Sequence, residues 1–417
     1  MLKVLAQSWP LLMGVMLLMV GNGVQGTLLG VRGALEGFST LELSIVMSAY
    51  FLGFLGGSRL TPILIRRVGH VRVFSAMGSL ISAVLILYPL VLDWQAWSLM
   101  RVLIGFCFSG VYITAESWIN NTATNETRGQ ALSAYMIVQM LGIIASQGLL
   151  AMGDPGGFGL FIIPSVMVSL AFLPLLLAKV PAPTFDRVKA LGFRRLWATS
   201  PLGCVGMLLT GGIFSAMFGM ASVWGALATL TLKQIAAYGA ALYVGGLALQ
   251  YPIGWVSDRM DRRKLIMGMS LFAAAVMAVA ALVKLPFVLL LVVALLLGGM
   301  INPLYALLIA VTNDYLQKED MAGASAGMIF LNGFGAIFGP LATGWLMGVI
   351  GKSGYFAFIG ALFLALGLYA AWRISRRAGP AEHQSFTAVS PTATSLAAVA
   401  VLEQEPARPS APGSEAA

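Results

Sequence analysis

Histidine and cysteine are almost missing from this 417-residue chain, with two of each, and charged side chains make up only 10% of it. His70 and His383 lie far apart, so no clustered His, Asp or Glu set stands ready to bind a metal or activate water, which argues against a membrane-embedded hydrolase. Cys107 and Cys204 both fall inside apolar stretches and suggest neither a disulfide nor a metal site. No Gly-x-x-x-x-Gly-Lys-Ser/Thr phosphate loop occurs, so nothing points to an ATP-driven pump. Alternating segments of about ten residues, which a membrane barrel needs, are also missing. No cofactor, metal or catalytic residue is expected, and the chain reads as a non-enzyme.

What is present is hydrophobic residue, 59% of the chain, arranged in apolar runs of about 20 residues. A run of that length crosses a hydrocarbon core as a helix, whose backbone groups satisfy one another. Twelve such spans are expected, six before, the sixth over Gly159–Lys179, and six after a polar stretch at 180–201. The fold class is therefore all-α membrane protein, with two six-helix bundles. Residues 1–180 and 201–377 form the bundles, 181–200 a cytoplasmic linker, and 378–417, rich in Ala, Pro, Ser and Glu, a disordered cytoplasmic tail. The first apolar run is followed by no small-residue cleavage signature and reads as a retained helix.

The net charge of +9 raises the question of nucleic acid, but the basic residues punctuate the spans instead of forming a patch. With the N-terminus in the cytoplasm, 18 of the 25 Lys and Arg residues fall on the cytoplasmic side. That bias places both termini in the cytoplasm of a multi-pass inner-membrane protein, with the lipid bilayer as partner and no nucleic acid. An internal offset of 193 pairs Gly105 with Gly298, Tyr112 with Tyr305, Asn120 with Asn313, Gln139 with Asn332 and Gly142 with Gly335, which supports two related halves.

Polar groups inside spans are costly, so each needs a partner or a purpose. In the fourth span Arg101 and Glu116 lie 15 residues apart, about 22 Å along an ideal helix, too far to pair. Their directions differ by only about 60°, and Ser109 and Tyr112 add polar groups near the same stripe, which should line an aqueous path. On that reading Arg101 anchors an anion and Glu116 carries a proton or pairs with a base elsewhere; the alternative leaves Glu116 ending the span at the interface. Arg59 either snorkels to the surface or reaches the cavity. Asn22, Gln25, Gln139, Asn302, Tyr305 and Asn332 could hydrogen-bond a solute at the midplane or bridge helices without one.

The loop after the second span reads Thr61-Pro62-Ile63-Leu64-Ile65-Arg66-Arg67-Val68-Gly69-His70, and the one after the eighth Gly254-Trp255-Val256-Ser257-Asp258-Arg259-Met260-Asp261-Arg262-Arg263. The second resembles the G-x-x-x-D-R-x-G-R-R signature of the major facilitator superfamily, with Asp261 at the inner glycine; the first is degenerate, with Pro62 and Arg66 at the leading glycine and the acid. Arg101-Val102-Leu103-Ile104-Gly105 resembles the family's R-x-x-x-G element, and Asn125-Glu126-Thr127-Arg128-Gly129 its loop before the fifth helix. The likeness covers about residues 5–376. Glu116-Ser117 and Tyr251-Pro252-Ile253-Gly254 resemble the YcaD-like branch. The Gly-Pro step associated with antiporters is missing at Gly142–Gln147 and appears instead at Gly335–Pro340.

The resemblance implies a secondary transporter that moves a small organic solute by alternating access, with an anionic solute favoured by Arg101 and proton coupling left open. Charges at the ends of adjacent helices can pair in one global state and separate in another, so Arg66, Arg67, Arg128, Asp258, Arg259, Arg262 and Arg263 are the candidates for a cytoplasmic gate, with a merely solvated loop as the alternative, and a monomer is expected. A membrane sensor that kept the transporter fold but moves no solute is the alternative.

Overall fold

The computed structural model describes residues 2–122, 127–177 and 191–376. The expected tail, residues 181–190 of the expected linker, and Glu126 lie outside them, as does the end of the sixth span at Lys179. The described chain is helical throughout. The first set comprises α1 (Leu2–Leu35), α2 (Thr40–Val68), α3 (His70–Leu87), α4 (Trp94–Thr122), α5 (Arg128–Met152), α6 (Gly159–Leu170) and α7 (Leu173–Leu177). A short connecting helix, α8 (Phe193–Thr199), leads to α9 (Pro201–Leu227), α10 (Leu232–Ser257), α11 (Arg262–Leu282), α12 (Phe287–Asn313), α13 (Lys318–Ile350) and α14 (Ser353–Arg376). Among the described residues 11 helices are long and apolar enough to cross a membrane.

The sixth expected span is the exception. Instead of one helix over Gly159–Lys179, α6 stops at Leu170 and α7 resumes at Leu173. Pro174 explains the break: it has no N–H to give the Leu170 carbonyl, and it disfavours helical geometry at Leu173. Helix α1 passes close by, where Gly14 leaves room for the Ala171 carbonyl: a Cβ on Gly14 would lie 2.5 Å from that oxygen.

Helix ends follow local chemistry. Ser39 and Glu42 form a reciprocal capping box at the start of α2, and Thr231 and Gln234 form its counterpart at the start of α10. Gly69, with φ +86°, is the single residue between α2 and α3, a backbone conformation that side-chain-bearing residues avoid.

Packing within each set rests on reciprocal glycine crossings. Helices α2 and α4 cross where a Cβ on Gly53 would lie 1.9 Å from the Val102 carbonyl oxygen, and one on Gly105 1.9 Å from that of Tyr50. Helices α10 and α12 repeat the crossing with Gly245 against Leu295 and Gly298 against Leu242, at 1.9 and 1.8 Å. Gly105 and Gly298, matched by the sequence offset, thus occupy equivalent crossings. In lipid, apolar side chains gain little by leaving one apolar medium for another, so backbone approach of this kind carries much of the helix association.

The two sets meet most closely at the end bearing the α1–α2 loop. There Gly30 abuts Ser222, Gly239 abuts Gln147, and Gly344 abuts Ser44 and the Thr40 carbonyl. Ser48 donates to the Ile337 carbonyl on the same α2–α13 seam. Nearer the other end, the exposed Arg59 places its guanidinium 4.5 Å from the centre of the Phe330 ring, across that seam and not in the cavity. Helix α8 lies against α13, with Leu191 N–H donating to the Gly323 carbonyl at 2.9 Å and Arg195 paired with Asp320.

A branched side chain at a reciprocal crossing meets backbone, which cannot swing aside. Gly298→Val is expected to destabilise the protein by about 3 kcal/mol or more, read as lost monodisperse protein or a lower melting temperature. Gly268→Ala, where a Cβ meets nothing within 4 Å, should match the parent or slightly exceed it.

Candidate functional site

Between the two sets lies a cavity of about 130 Å³, lined from α1, α2, α4, α5, α9, α10 and α12. Of the residues singled out in the sequence, Asn22, Arg101, Tyr112, Gln139 and Asn302 line it. Gln25 supports it from behind. Its side-chain oxygen accepts from Arg101 Nη1 at 2.9 Å, and its Nε2 donates to the Tyr88 hydroxyl at 3.2 Å. Tyr88 is held in turn by Trp97, whose Nε1 donates to the carbonyls of Tyr88 and Val91 at 3.1 and 2.7 Å and whose ring packs edge-on against the Tyr88 ring. The guanidinium is thereby placed by an amide and two buried aromatics.

Arg101 is 4% exposed. Its guanidinium stands 4.7 Å from the centre of the Tyr50 ring, and Nη2 lies 3.6 Å from Met47 Sδ. Nε has no hydrogen-bond partner, and among the described residues no Asp or Glu lines the cavity. A tyrosine face and an amide oxygen offset part of the desolvation of a buried guanidinium, but neither carries the opposite charge. The site is therefore electrostatically incomplete, and an anion would complete it.

Around Arg101, Asn22 Nδ2 donates to the Tyr112 hydroxyl at 3.3 Å, and that hydroxyl points to Met19 Sδ at 3.4 Å. The sequence reading missed Tyr50, Thr27, Gln147, Ser222 and Tyr243, all of which line the cavity. Gln147 carried a usable signal: it stands in the stretch where the antiporter Gly-Pro step is missing. Its side chain contacts Thr27 Oγ1 at 3.2 to 3.3 Å and packs on Gly239 of the other set.

The polar stripe expected along α4 divides. Arg101 and Tyr112 face the cavity, whereas Ser109 packs on Gly57 of α2. Glu116 is 1% exposed and lies outside the cavity lining, in electrostatic range of Tyr112, Tyr135 and Tyr305. It is thus buried within the helix bundle. Tyr305 is buried away from the cavity lining. Asn332 bridges helices instead, with Nδ2 donating to the Met207 carbonyl at 3.2 Å and to Thr210 Oγ1 at 3.4 Å.

The charged loop after α10 ties three helix ends of the second set together. Arg262, fully buried, pairs through Nη1 with Asp314 at 2.7 Å and through Nη2 with Asp258 at 3.5 Å, and its Nε donates to Ser257 Oγ at 3.2 Å. Asp261, standing where the family motif has glycine, caps α11 by accepting from Arg263 N–H at 2.9 Å and pairs with the Arg263 guanidinium at 2.7 Å. Arg259 stacks on Trp255, 3.9 Å from its ring centre. In the first set the corresponding helix start is His70, whose Nε2 lies 2.9 Å from Ser117 Oγ. Arg66 and Arg67 are exposed in the last turn of α2, where positive charge suits the helix C-terminus. The side chain of Arg128 lies outside the described residues.

Two outcomes follow from these buried charges. Asp314→Asn should cost about 2–3 kcal/mol, because it leaves the buried Arg262 guanidinium only its longer pairing with Asp258, while Arg66→Gln on the exposed turn should change stability by about 0.5 kcal/mol at most; denaturation of the purified protein measures both. Arg101→Gln should instead raise the melting temperature of the ligand-free protein, since it removes a buried charge that lacks a counter-charge.

Comparison with known proteins agrees with this architecture. The chain is 23% identical over 339 residues to the uncharacterized MFS-type transporter YcaD of Escherichia fergusonii, covering 81% of this chain and 88% of the relative. An uncharacterized MFS-type transporter of Enterobacter sp. (strain 638) is 24% identical over 347 residues, with the same coverage. Among solved structures, the nucleoside transporter NupG superposes with a TM-score of 0.73 at 15% identity, over 89% of this chain and 99% of that one. The Escherichia coli fucose:proton symporter FucP does so with a TM-score of 0.56 at 13% identity, again over 89% and 99%. The sequence profile of the Major Facilitator Superfamily matches residues 11–237 and 209–408, and with that match spanning nearly the whole chain, the protein belongs to this superfamily of membrane transporters and is not an enzyme.

Proposed function

We propose that this secondary transporter moves a small organic anion by alternating access, with Arg101 as the anchor of its solute. The observation that carries the proposal is a buried guanidinium, placed by Gln25 and Tyr50 in a cavity between the two helix sets, with no carboxylate among the lining residues. Residues 1–180 and 201–377 are the units that move against each other about this site. The glycine contacts at Gly30, Gly239 and Gly344 close the end bearing the α1–α2 loop in the state described here, and they are the contacts that part when that end opens. The Arg262–Asp314 pair keeps the ends of α11 and α12 together while the second unit moves.

Glu116 is the candidate for proton coupling. It is buried beyond the cavity lining on the same helix as Arg101 and Tyr112, close to Tyr305 of the other unit. A carboxyl so placed changes its charge at lowest cost when the opposing unit moves away and water enters. The distribution of basic residues supports a cytoplasmic linker end, and with it cytoplasmic termini, in the cell inner membrane.

Reconstitution in liposomes tests the proposal. Parent protein should accumulate a small organic anion, faster with an imposed proton gradient. Arg101→Gln should weaken binding roughly 10- to 100-fold, the value of a charge-assisted hydrogen bond. Glu116→Gln should abolish the response to the proton gradient while keeping anion exchange. Binding without any flux would assign the sensor role instead, and indifference to Arg101→Gln would overturn the site.

A further inference from the structure

The cavity is chemically two-sided. The first helix set supplies its cation and most of its amides, Arg101, Asn22, Gln139 and Gln147. The second supplies an aromatic wall: the Phe214 and Phe218 rings of α9 lie 4.7 Å apart, and Phe218 lies 4.5 Å from Tyr243 of α10. Three lining side chains hold buried polar atoms without a partner, Arg101 Nε and Gln139 Nε2 in the first set and Ser222 Oγ in the second.

We propose that the solute is a monoanion built on a single aromatic ring, an aromatic monocarboxylate in charge and size, bound with its carboxylate at Arg101 and its ring on Phe218 and Tyr243. This rests on the reading of the cavity as the transport site and narrows it. One cation with no other formal charge on the lining balances one negative charge; a second would enter a low-dielectric space uncompensated. The ring follows from the wall. Aromatic faces and edges attract another ring through their quadrupoles beyond what area burial alone gives.

Size sets the limit. The cavity, about 130 Å³, is close to the roughly 150 Å³ engineered cavity that admits one benzene molecule. A single ring matches this volume, and a fused or second ring is disfavoured in this state. Ser222 Oγ offers a hydrogen bond to a polar ring substituent, which a hydroxyl or a ring nitrogen would take.

Calorimetry on the purified full-length protein in lipid nanodiscs tests the inference with benzoate, cyclohexanecarboxylate, benzamide and 2-naphthoate. Benzoate should bind about five- to tenfold tighter than cyclohexanecarboxylate, with benzamide and 2-naphthoate weaker than either. Phe218→Leu should bring the benzoate to cyclohexanecarboxylate ratio close to one, and Tyr243→Leu serves if that variant does not fold. Equal affinity of the two carboxylates in the parent overturns the aromatic assignment but leaves an anion site at Arg101. Binding of 2-naphthoate as tight as benzoate overturns the one-ring limit. Binding of benzamide but of neither small carboxylate, or of none of the four, overturns the ring-anion inference, and survival of benzoate binding in Arg101→Gln overturns the anion site beneath it.

Discussion

Close backbone contact at a few glycines is the constraint on which this protein depends. A bilayer gives apolar helices little reason to leave lipid for one another, so cohesion comes from surfaces that approach near enough for extensive van der Waals contact. Gly53 with Gly105, and Gly245 with Gly298, bring α2 to α4 and α10 to α12 at distances no other residue permits. These crossings place Tyr50 and Arg101 side by side in one set and Tyr243 and Asn302 on the facing wall of the other. The cavity is what remains between helices positioned in this way.

Inside that frame the protein keeps one expensive group. Arg101 sits beneath a tyrosine face and against an amide oxygen, neither of which neutralises it. Arg262, equally buried, is neutralised by Asp314 and Asp258. The contrast separates a charge neutralised within its own helix set from one that the described lining residues leave without a counter-charge. Stability sacrificed at a functional position and recovered by packing elsewhere is a common arrangement.

The two halves have diverged where they touch the cavity. Equivalent positions still do equivalent work at the helix crossings and at the capping boxes of α2 and α10. At the polar positions they do not: Gln139 lines the cavity while its match Asn332 ties α13 to α9, and Tyr112 lines it while Tyr305 is buried elsewhere. The loop after α10 forms a buried ion-pair cluster, whereas the degenerate loop after α2 leads to a His70–Ser117 contact. Symmetry therefore persists where backbone packing demands it and lapses at the polar positions along the cavity and in the loops after α2 and α10.

Much of the architecture was legible in one dimension. The length of the apolar runs, their number and the sparse polar residues within them determine an all-helical membrane protein, because a bilayer accepts few other solutions, and the loop motif at Gly254–Arg263 carries the resemblance to this superfamily. The sixth span breaks at Pro174, whose missing N–H leaves the Leu170 carbonyl without its helical donor, a point that the length and hydrophobicity of the run do not register. Arg101 was conspicuous as a charge within a span. That it faces the cavity with no carboxylate beside it, that Ser109 and Glu116 leave the stripe it begins, and that Tyr50, Gln147, Ser222 and Tyr243 join it were decided by tertiary structure alone. The physical reason is that helix rotation and crossing are set by contacts between distant segments, such as Gly105 against Tyr50 and Gly298 against Leu242. Local periodicity says which residues share a face, but only the packed bundle says what that face meets.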